Sequence, residues 1–471
     1  MKHLFGSAAG RDGQKRHDAL GFLRLAGVTP RGSQAGRGRW VAPLGTLVVG
    51  ALGVLLVGAV GCAGGTGEAE WPPVQKQWYE RSQTSFKTLD FDDAETAIDN
   101  ALRLDKGREE VRVLAAQIAL ANLDYQGAIA HLSGLATSEA RSLRGRALWY
   151  SGKVEEAADE LQQLLADPEV RDPWAEQVSK IARQGAGRQP FRITGGLLAV
   201  SEMPHAGNSA MLVPLELDGE PVLGLISTGS PEVTVDSSGG RTASWVALRF
   251  GERLEVKDVP ALTQDLSGIS RELGAPIKVL LGVSLLRHLN VTFDFFGSQF
   301  VVRSFVPPPP PAATTVKLHY VRGGGMVMRG RFGREERSPA AAMIIDTSMQ
   351  FPLLLDDAGW QKAGVDQRSL SLVEGTKDLR HGIVPTFQLG AFEIPQIPGV
   401  HGKELSKFES GLGVDLDGVV GSRLLAAFRV TLTDGGRTLW LEDAPQPLPE
   451  AEALPGAAPA AAPAANTPAG G

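Results

Sequence analysis

The sequence contains a single cysteine, Cys62, among its 471 residues, so no disulfide can form within the chain. It also lacks an excess of basic residues: 53 acidic residues outnumber 47 lysines and arginines, the net charge is −6, and basic residues are not clustered beyond the N-terminus. This balance argues against a nucleic-acid-binding protein. The hydrophobic content of 43% is sufficient for packed cores, and the length suits about two to four domains.

Several catalytic signatures are missing as well. The sequence has no H-E-x-x-H segment and no pair of cysteines, so it predicts no metal site and no cofactor. In the segment GLISTG, Gly224 lies three residues before Ser227, which misses the G-x-S-x-G elbow of serine hydrolases by one position. The histidines His205, His288 and His381 are scattered, and the sequence places none of them as a base. A serine hydrolase is therefore disfavoured.

One long apolar run, Val41 to Gly61, follows a basic segment and directly precedes Cys62. This order is that of an export signal, and the final AVGC resembles a bacterial lipobox, whose cysteine is lipidated and becomes the mature N-terminus. The resemblance implies a membrane-anchored lipoprotein of the cell envelope, on the outer membrane facing the periplasm. The run is also long enough to span a bilayer, which leaves a plain membrane anchor open. We assign residues 1–61 to the leader and signal, and 62–72 to a flexible linker.

Residues 73–187 have the apolar periodicity of amphipathic helices. The phrases DFDDAETAI, DYQGAIAHL and GKVEEAADEL repeat a pattern in which Ala94 and Ala128 lie 34 residues apart, and Ala128 and Ala157 lie 29 apart. The segment resembles a tetratricopeptide array of about three repeats. Such arrays present a concave face that commonly holds a peptide or a partner protein. The alternative is a spacer that lifts the next domain off the membrane.

After Pro190 the chain changes to short alternating apolar runs separated by glycine, proline, aspartate and asparagine, which predict strands joined by tight turns. The prolines that begin at Pro307 divide this region into two lobes. The predicted fold is therefore a multidomain α + β chain in which a helical array precedes a duplicated all-β domain. The predicted boundaries are 190–306 for lobe 1, 307–314 for the proline-rich linker, 315–443 for lobe 2 and 444–471 for a disordered Pro/Ala-rich tail.

The two lobes match each other in sequence. GVSLLRHLNVTFDFFGSQFVV begins at Gly282, and GSRLLAAFRVTLTDGGRTLWL begins at Gly421, 139 residues later. At that shift Thr292 corresponds to Thr431, and several apolar positions also match without a gap. This pattern predicts that one β lobe was duplicated.

Two further pairs of segments recur in the same order in each lobe: LGLISTGS and AMIIDTSM, then VLLGVSLL and GVVGSRLL. Together they resemble the aspartic peptidases, retropepsin-like and pepsin-like, over roughly Phe191 to Glu442. In that family each lobe supplies an Asp-Thr/Ser-Gly turn and an apolar-apolar-Gly segment that crosses behind it. The two turns here are offset by 119 residues instead of 139, so lobe 2 needs 20 extra residues between its turn and its crossing segment.

The resemblance implies a dyad of two carboxylates about 3 Å apart that share one proton. Asp346 fits the catalytic position of lobe 2, and Thr347 fits the hydroxyl that braces the turn. Ser227 stands at the matching position of lobe 1, followed by Thr228 and Gly229. A serine hydroxyl cannot share a proton in the way a carboxylate does, so the dyad is incomplete.

Other acidic residues near the turns have simpler expected roles. Asp236, Asp356 and Asp357 follow the turns by nine to eleven residues and are expected at the surface or at helix N-termini. In lobe 2, Ser348 replaces the glycine that the family carries, which changes the backbone requirement of that turn.

These observations predict an envelope lipoprotein whose degenerate aspartic-peptidase-like domain binds peptide or protein partners without cleaving them. One alternative is an active aspartic endopeptidase that pairs Asp346 with the Asp346 of a second copy. Another alternative is a structural scaffold. No nucleic-acid partner is expected, and the membrane is reached through the lipid on Cys62.

Overall fold

The computed structural model describes residues 71–204, 210–373, 376, 379–402 and 405–443. The leader, Cys62 and the C-terminal tail lie outside these residues, as does the apolar run before Cys62. Within the described ranges, no helix combines the length and the apolar character that crossing a bilayer requires.

The N-terminal region is a helical array, as the periodicity predicted. Its helices are α1 (Pro73–Lys87), α2 (Phe91–Leu104), α3 (Glu109–Ala121), α4 (Tyr125–Leu132), α5 (Ser138–Tyr150), α6 (Val154–Leu165) and α7 (Pro173–Arg183). The repeated alanines Ala94, Ala128 and Ala157 are fully buried, which lets neighbouring helices approach closely. The Asp90 and Asp124 carboxylates accept hydrogen bonds from N–H groups in the first turns of α2 and α4, and so fix where these helices begin.

The rest of the described chain is rich in strands. Those of the first half are β1 (Arg192–Gly195), β2 (Leu198–Glu202), β3 (Leu212–Leu217), β4 (Glu220–Ile226), β5 (Val233–Asp236), β6 (Ser244–Phe250), β7 (Leu254–Gln264), β8 (Ile277–Leu281), β9 (Asn290–Asp294) and β10 (Gln299–Arg303). Those of the second half are β11 (Thr314–Lys317), β12 (His319–Val321), β13 (Gly325–Phe332), β14 (Ala340–Asp346), β15 (Leu353–Leu355), β16 (Ser371–Leu372), β17 (Arg380–Leu389), β18 (Phe392–His401), β19 (Gly418–Gly421), β20 (Phe428–Thr433) and β21 (Thr438–Asp443). Short helices interrupt them: α8 (Ser267–Leu273), α9 (Val283–Leu286), α10 (Asp357–Lys362), α11 (Leu405–Leu412) and α12 (Ser422–Leu425).

These strands form two six-stranded barrels. In barrel 1 the pairing runs β7-β5-β8-β4-β3-β6 and closes from β6 back to β7. In barrel 2 it runs β18-β15-β19-β14-β13-β17 and closes between β17 and β13. The pairing order is thus the same in both barrels. The predicted α-then-all-β order of the chain is confirmed.

The barrels differ by one added segment. Between β15 and β17, barrel 2 carries α10, a 3-10 turn and β16, where barrel 1 has only a short loop between β5 and β6. This segment accounts for the different offsets of the turns and the crossing segments. Beyond it the 139-residue frame resumes. Gly251 directly follows β6 and Gly390 directly follows β17, and both have a positive φ, 56° and 59°, which glycine adopts without strain.

A six-stranded joining sheet connects the barrels, in the order β11-β21-β20-β9-β10-β2. At its centre β9 and β20 run antiparallel, with Thr292 opposite Thr431. Their hydroxyl oxygens lie 2.8 Å apart. Because these threonines are also the matched positions of the 139-residue frame, β9 and β20 are related locally by an approximate twofold axis at this pair.

The helical array packs on both barrels through the turns at which its odd-numbered helices end. Phe91, after the first of these turns, stacks on His319 at 4.3 Å between ring centroids. Near the other end of the array, Trp149 contacts Trp245 of barrel 1 edge to face, and the Trp245 indole donates to the Ile181 carbonyl oxygen at 3.0 Å. Apolar residues of α1 to α3 share a hydrophobic cluster with barrel 2, and those of α5 to α7 share another with barrel 1.

Candidate functional site

The two turns that carry the candidate residues follow equivalent strands. Strand β4 runs parallel to β8 with Ile226 beside Leu281, and β14 runs parallel to β19 with Ile345 beside Val420. Parallel strands bring their carboxyl ends to the same edge of a sheet, so each turn lies next to the start of a crossing segment. The structure brings Thr228, Gly229, Asp346 and Thr347 into one cluster at this edge, and Ser227 immediately precedes Thr228.

The turns are joined by a reciprocal set of hydrogen bonds. The Thr228 backbone N–H donates to Thr347 Oγ1, and the Thr347 N–H donates to Thr228 Oγ1, each at 3.0 Å. The Thr228 hydroxyl also donates to the Ile345 carbonyl oxygen and the Thr347 hydroxyl to that of Ile226, each at 2.9 Å. Both threonines are buried. We call these four bonds the threonine clasp; it fixes the separation of the two turns.

Asp346 lies against the turn of barrel 1. Its Oδ1 accepts hydrogen bonds from the Ser348 N–H at 2.9 Å and the Ser348 hydroxyl at 2.6 Å, and the Gly229 N–H also donates to this carboxylate. A Cβ atom at Gly229 would lie 2.5 Å from Asp346 Oδ2, so only glycine leaves room for the carboxylate there. Burial raises the pKa of Asp346 above its usual range, and the hydrogen bonds from Ser348 and Gly229 oppose this shift only in part.

Ser227 occupies the matching position in barrel 1 and is 2% exposed. Its N–H donates to the Leu281 carbonyl oxygen at 3.1 Å, and its carbonyl accepts from the Ser230 N–H at 3.1 Å. Its hydroxyl makes no hydrogen bond with any residue the structure describes. The turn thus keeps its backbone geometry but carries no acidic group.

The crossing segments pack behind the turns through glycine. A Cβ at Gly282 would lie 2.1 Å from the Glu232 carbonyl oxygen, and one at Gly421 would lie 2.0 Å from that of Phe351, so any larger residue would separate segment from turn. Equivalent hydrogen bonds follow in each barrel. Val283 N–H donates to Ser230 at 2.9 Å, and Ser422 N–H donates to Met349 at 2.8 Å.

Sequence reasoning missed Glu232, which lies five residues after Ser227. It is 2% exposed and accepts hydrogen bonds from the Tyr150 hydroxyl at 2.9 Å and the Trp174 indole N–H at 3.1 Å. Its other oxygen, Oε2, is buried without a hydrogen-bond partner among the described residues. The helical array therefore touches the first turn segment directly. The sequence carries no signal for this contact, since a glutamate in a turn is ordinary.

Arg287 completes this buried group. Its guanidinium lies 4.7 Å from the ring centroid of Tyr150 and 5.2 Å from that of Tyr320, and it donates to the Gly323 carbonyl oxygen at 2.8 Å. Burial raises the pKa of Tyr150 well above its usual range, and the nearby Glu232 raises it further. A cation among aromatic rings and a buried carboxylate thus link the array to both barrels.

The surrounding acids and histidines have structural roles. Asp356 accepts from the Gly359 N–H at the start of α10, as expected, and Asp357 is exposed. The expectation for Asp236 is wrong, because this residue is buried and pairs with Lys278 at 2.7 Å. His288 stacks on a phenylalanine, and burial lowers its pKa to about 4.

Neither of the other two histidines named in the sequence analysis lies at the described turn cluster. His381 is exposed on β17, and His205 lies outside the described residues. No group of three or more potential metal ligands occurs among the described residues.

No protein-family model and no curated protein sequence matches the chain significantly. Among solved structures, a tetratricopeptide (TPR) domain of OM64 from Arabidopsis is 18% identical, with 24% of this chain and 95% of that one covered and a TM-score of 0.22. Basic 7S globulin from soybean is 9% identical, with 54% of this chain and 95% of that one covered and a TM-score of 0.35. A retropepsin-like aspartic protease from Rickettsia conorii is 18% identical, with 27% of this chain and 88% of that one covered and a TM-score of 0.20. Each is similar to only part of the chain.

Proposed function

We propose that the two barrels are a duplicated, aspartic-peptidase-like domain that binds an extended peptide or a protein segment without cleaving it. The duplication is supported by the shared pairing order of the barrels and by the threonine pair at the approximate twofold axis. The likeness to aspartic peptidases is supported by the position of both turns beside their crossing segments.

The observation that carries the non-catalytic proposal is an intact threonine clasp that holds one carboxylate. Peptide hydrolysis by this chemistry needs one group that accepts a proton from water and a second acid that donates to the scissile carbonyl. Asp346 could serve as one of them, and its raised pKa suits a shared proton. Ser227 cannot supply the other, because a hydroxyl neither ionises nor donates like a carboxylic acid near neutral pH.

The contacts of the turns disfavour the alternative of an active dimer. A second Asp346 would have to occupy the place beside the first, where Gly229 of the same chain already donates to the carboxylate. The threonine clasp would also have to open, since Thr228 and Thr347 satisfy one another within the chain. A second copy would break these buried hydrogen bonds before forming new ones.

We further propose that the helical array is of the tetratricopeptide type and that Cys62 carries a lipid that anchors the protein in the cell envelope. The array proposal is supported by the repeated buried alanines and the repeated helix start at Asp90 and Asp124. Labelling with radioactive palmitate tests the anchor: the label should appear in the wild type and disappear in Cys62→Ser. Retention of the label in the variant would contradict lipidation at this cysteine.

A cleavage assay tests the central proposal. The purified protein is incubated with a library of internally quenched peptides from pH 3 to pH 7, beside Asp346→Asn. We expect no cleavage by either protein. Cleavage by the wild type that is lost in Asp346→Asn would overturn the non-catalytic assignment. The variant Ser227→Asp is the complementary test, because restored activity would identify the absent carboxylate as the main defect.

Binding needs its own measurement, since a scaffold would also be inert in the cleavage assay. The same peptides, labelled without a quencher, are titrated with the protein and followed by fluorescence anisotropy. Saturable binding that is weakened by Gly229→Val, which would crowd Asp346 at the turn, supports peptide binding between the barrels. The matched control is Gly239→Val, because open space surrounds that glycine in barrel 1. Absence of saturable binding would favour the structural scaffold.

A further inference from the structure

A partly open pocket of about 470 Å³ lies on the outer face of barrel 2. Its volume falls within the range of about 300 to 1,000 Å³ that is typical of small-ligand sites. Its lining residues come from β13, β14, β17 and the loops beside them, and they include none of the turn residues described above. The pocket is therefore distinct from the threonine clasp and from Asp346.

The alternation of β13 builds this pocket. Val327 shares a hydrophobic cluster with the helical array, and Arg329, two residues on, pairs with Asp90 of the array at 2.6 Å. Arg331 is the next residue on this face of β13, two residues after Arg329. Its cross-strand neighbours are Ala340 on β14 and Gln388 on β17. The small Ala340 side chain leaves the space that the pocket occupies.

Two polar groups in this pocket lack partners in the part of the chain that the structure describes. Arg331 is partly buried as a residue, and its guanidinium forms no ion pair or hydrogen bond with the described residues. The Gln388 side-chain oxygen is buried and likewise has no partner in the described chain. Buried polar groups are normally satisfied, and leaving one unpaired costs about 1 to 3 kcal/mol. Arg331 thus offers an unpaired cationic donor to a ligand. Its cross-strand neighbour Gln388 can offer its side-chain oxygen as an acceptor once the amide turns toward the pocket.

We propose that this pocket binds the free C-terminus of a peptide. A terminal carboxylate matches the planar fork of Arg331, which can donate two parallel hydrogen bonds to it. The N–H of the same terminal residue can donate to Gln388 Oε1. A phosphate or an isolated carboxylate offers no such N–H, and Glu336 at the exposed rim disfavours ligands with more than one negative charge.

The test uses the full purified chain and two pools of fluorescein-labelled peptides with randomised last three positions. The pools differ only in ending with a free carboxyl or a carboxamide, and binding is followed by fluorescence anisotropy. We expect the free-acid pool to bind at least tenfold more tightly. Arg331→Gln should lower its affinity to that of the amide pool, and Gln388→Leu should lower it about tenfold.

The matched control is Arg334→Gln, because Arg334 lies on the same lobe but pairs with Glu393 outside the pocket. It should bind the free-acid pool like the wild type, and thermal unfolding of each variant verifies the fold. Equal affinity for both pools, no binding of either, or wild-type affinity in Arg331→Gln would overturn the proposal. Loss of free-acid binding in Gly229→Val together with wild-type affinity in Arg331→Gln would instead place the peptide between the barrels.

Discussion

At the residue scale, the Thr347 hydroxyl makes two buried hydrogen bonds that should contribute to the free energy of unfolding. It donates to the Ile226 carbonyl oxygen and accepts from the Thr228 N–H, and all these groups are buried. Thr347→Val keeps the shape but leaves both partners unsatisfied, so we expect a loss of about 2 to 4 kcal/mol in the free energy of unfolding. Urea denaturation measures this loss. Thr347→Ser, which keeps the hydroxyl, should lose far less, and equal losses would show that the clasp is not the cause.

Asp346 should make stability depend on pH in an unusual direction. Burial raises its pKa in the folded chain, whereas in the unfolded chain the pKa is about 3.9. The folded state then binds more protons in the window above pH ~4, so stability falls as pH rises through it. Relative to Asp346→Asn, the wild type should lose unfolding free energy between pH ~4 and neutrality. A difference that stays constant with pH would contradict the raised pKa.

Asp236 should show the opposite dependence. Burial raises its pKa, but hydrogen bonds from the Lys278 ammonium, the Ser238 hydroxyl and two backbone N–H groups outweigh this effect and lower the pKa to about 2. Its contribution is therefore full above pH ~4 and is lost as pH falls toward ~2. Asp236→Asn should destabilise the protein by about 1 to 2 kcal/mol at pH 7 and have little effect near pH 2. A penalty that persists at low pH would point to lost packing instead.

At the element scale, the contact between α5 and the first turn segment is the most specific link of the array. Tyr150→Phe removes one of the two hydrogen bonds to the buried Glu232 carboxylate. A double-mutant cycle with Glu232→Gln should give a coupling of about 1 to 3 kcal/mol in urea unfolding. The control is Tyr125→Phe, since the Tyr125 ring lies beside the Tyr150 ring but its hydroxyl makes no hydrogen bond to Glu232. Its coupling with Glu232→Gln should be near zero.

The elements themselves were largely predictable from sequence. Helical periodicity and the repeated alanines gave the array, and the 139-residue frame gave two matched lobes. The sequence identified Thr228 and Thr347 as equivalent turn residues but did not predict the hydrogen bonds between them. In contrast, Tyr150 and Glu232 lie 82 residues apart and each looks ordinary in its own segment. Contacts between separately folded elements leave no periodicity, so the docking of the array was beyond prediction.

At the scale of the whole molecule, the helical array packs against both barrels and covers apolar surface on each of them. Removing residues 71–187 would expose the apolar surfaces around His319 and Trp245 that Phe91 and Trp149 now cover. We expect the truncated chain to associate and to unfold at a lower temperature. Light scattering after size-exclusion chromatography and differential scanning calorimetry measure these effects. A monodisperse chain of unchanged melting temperature would show that the barrels do not depend on the array.

The twofold relation between Thr292 and Thr431 has a historical consequence if each barrel began as one half of a pair of identical chains. In such a pair a single codon serves both turns, so an aspartate lost from one is lost from the other. Ser227 opposite Asp346 is a difference that identical chains cannot carry. On the proposed duplication, the two turns diverged at Ser227 and Asp346 only after the halves were joined in one gene, when each turn first became free to change alone.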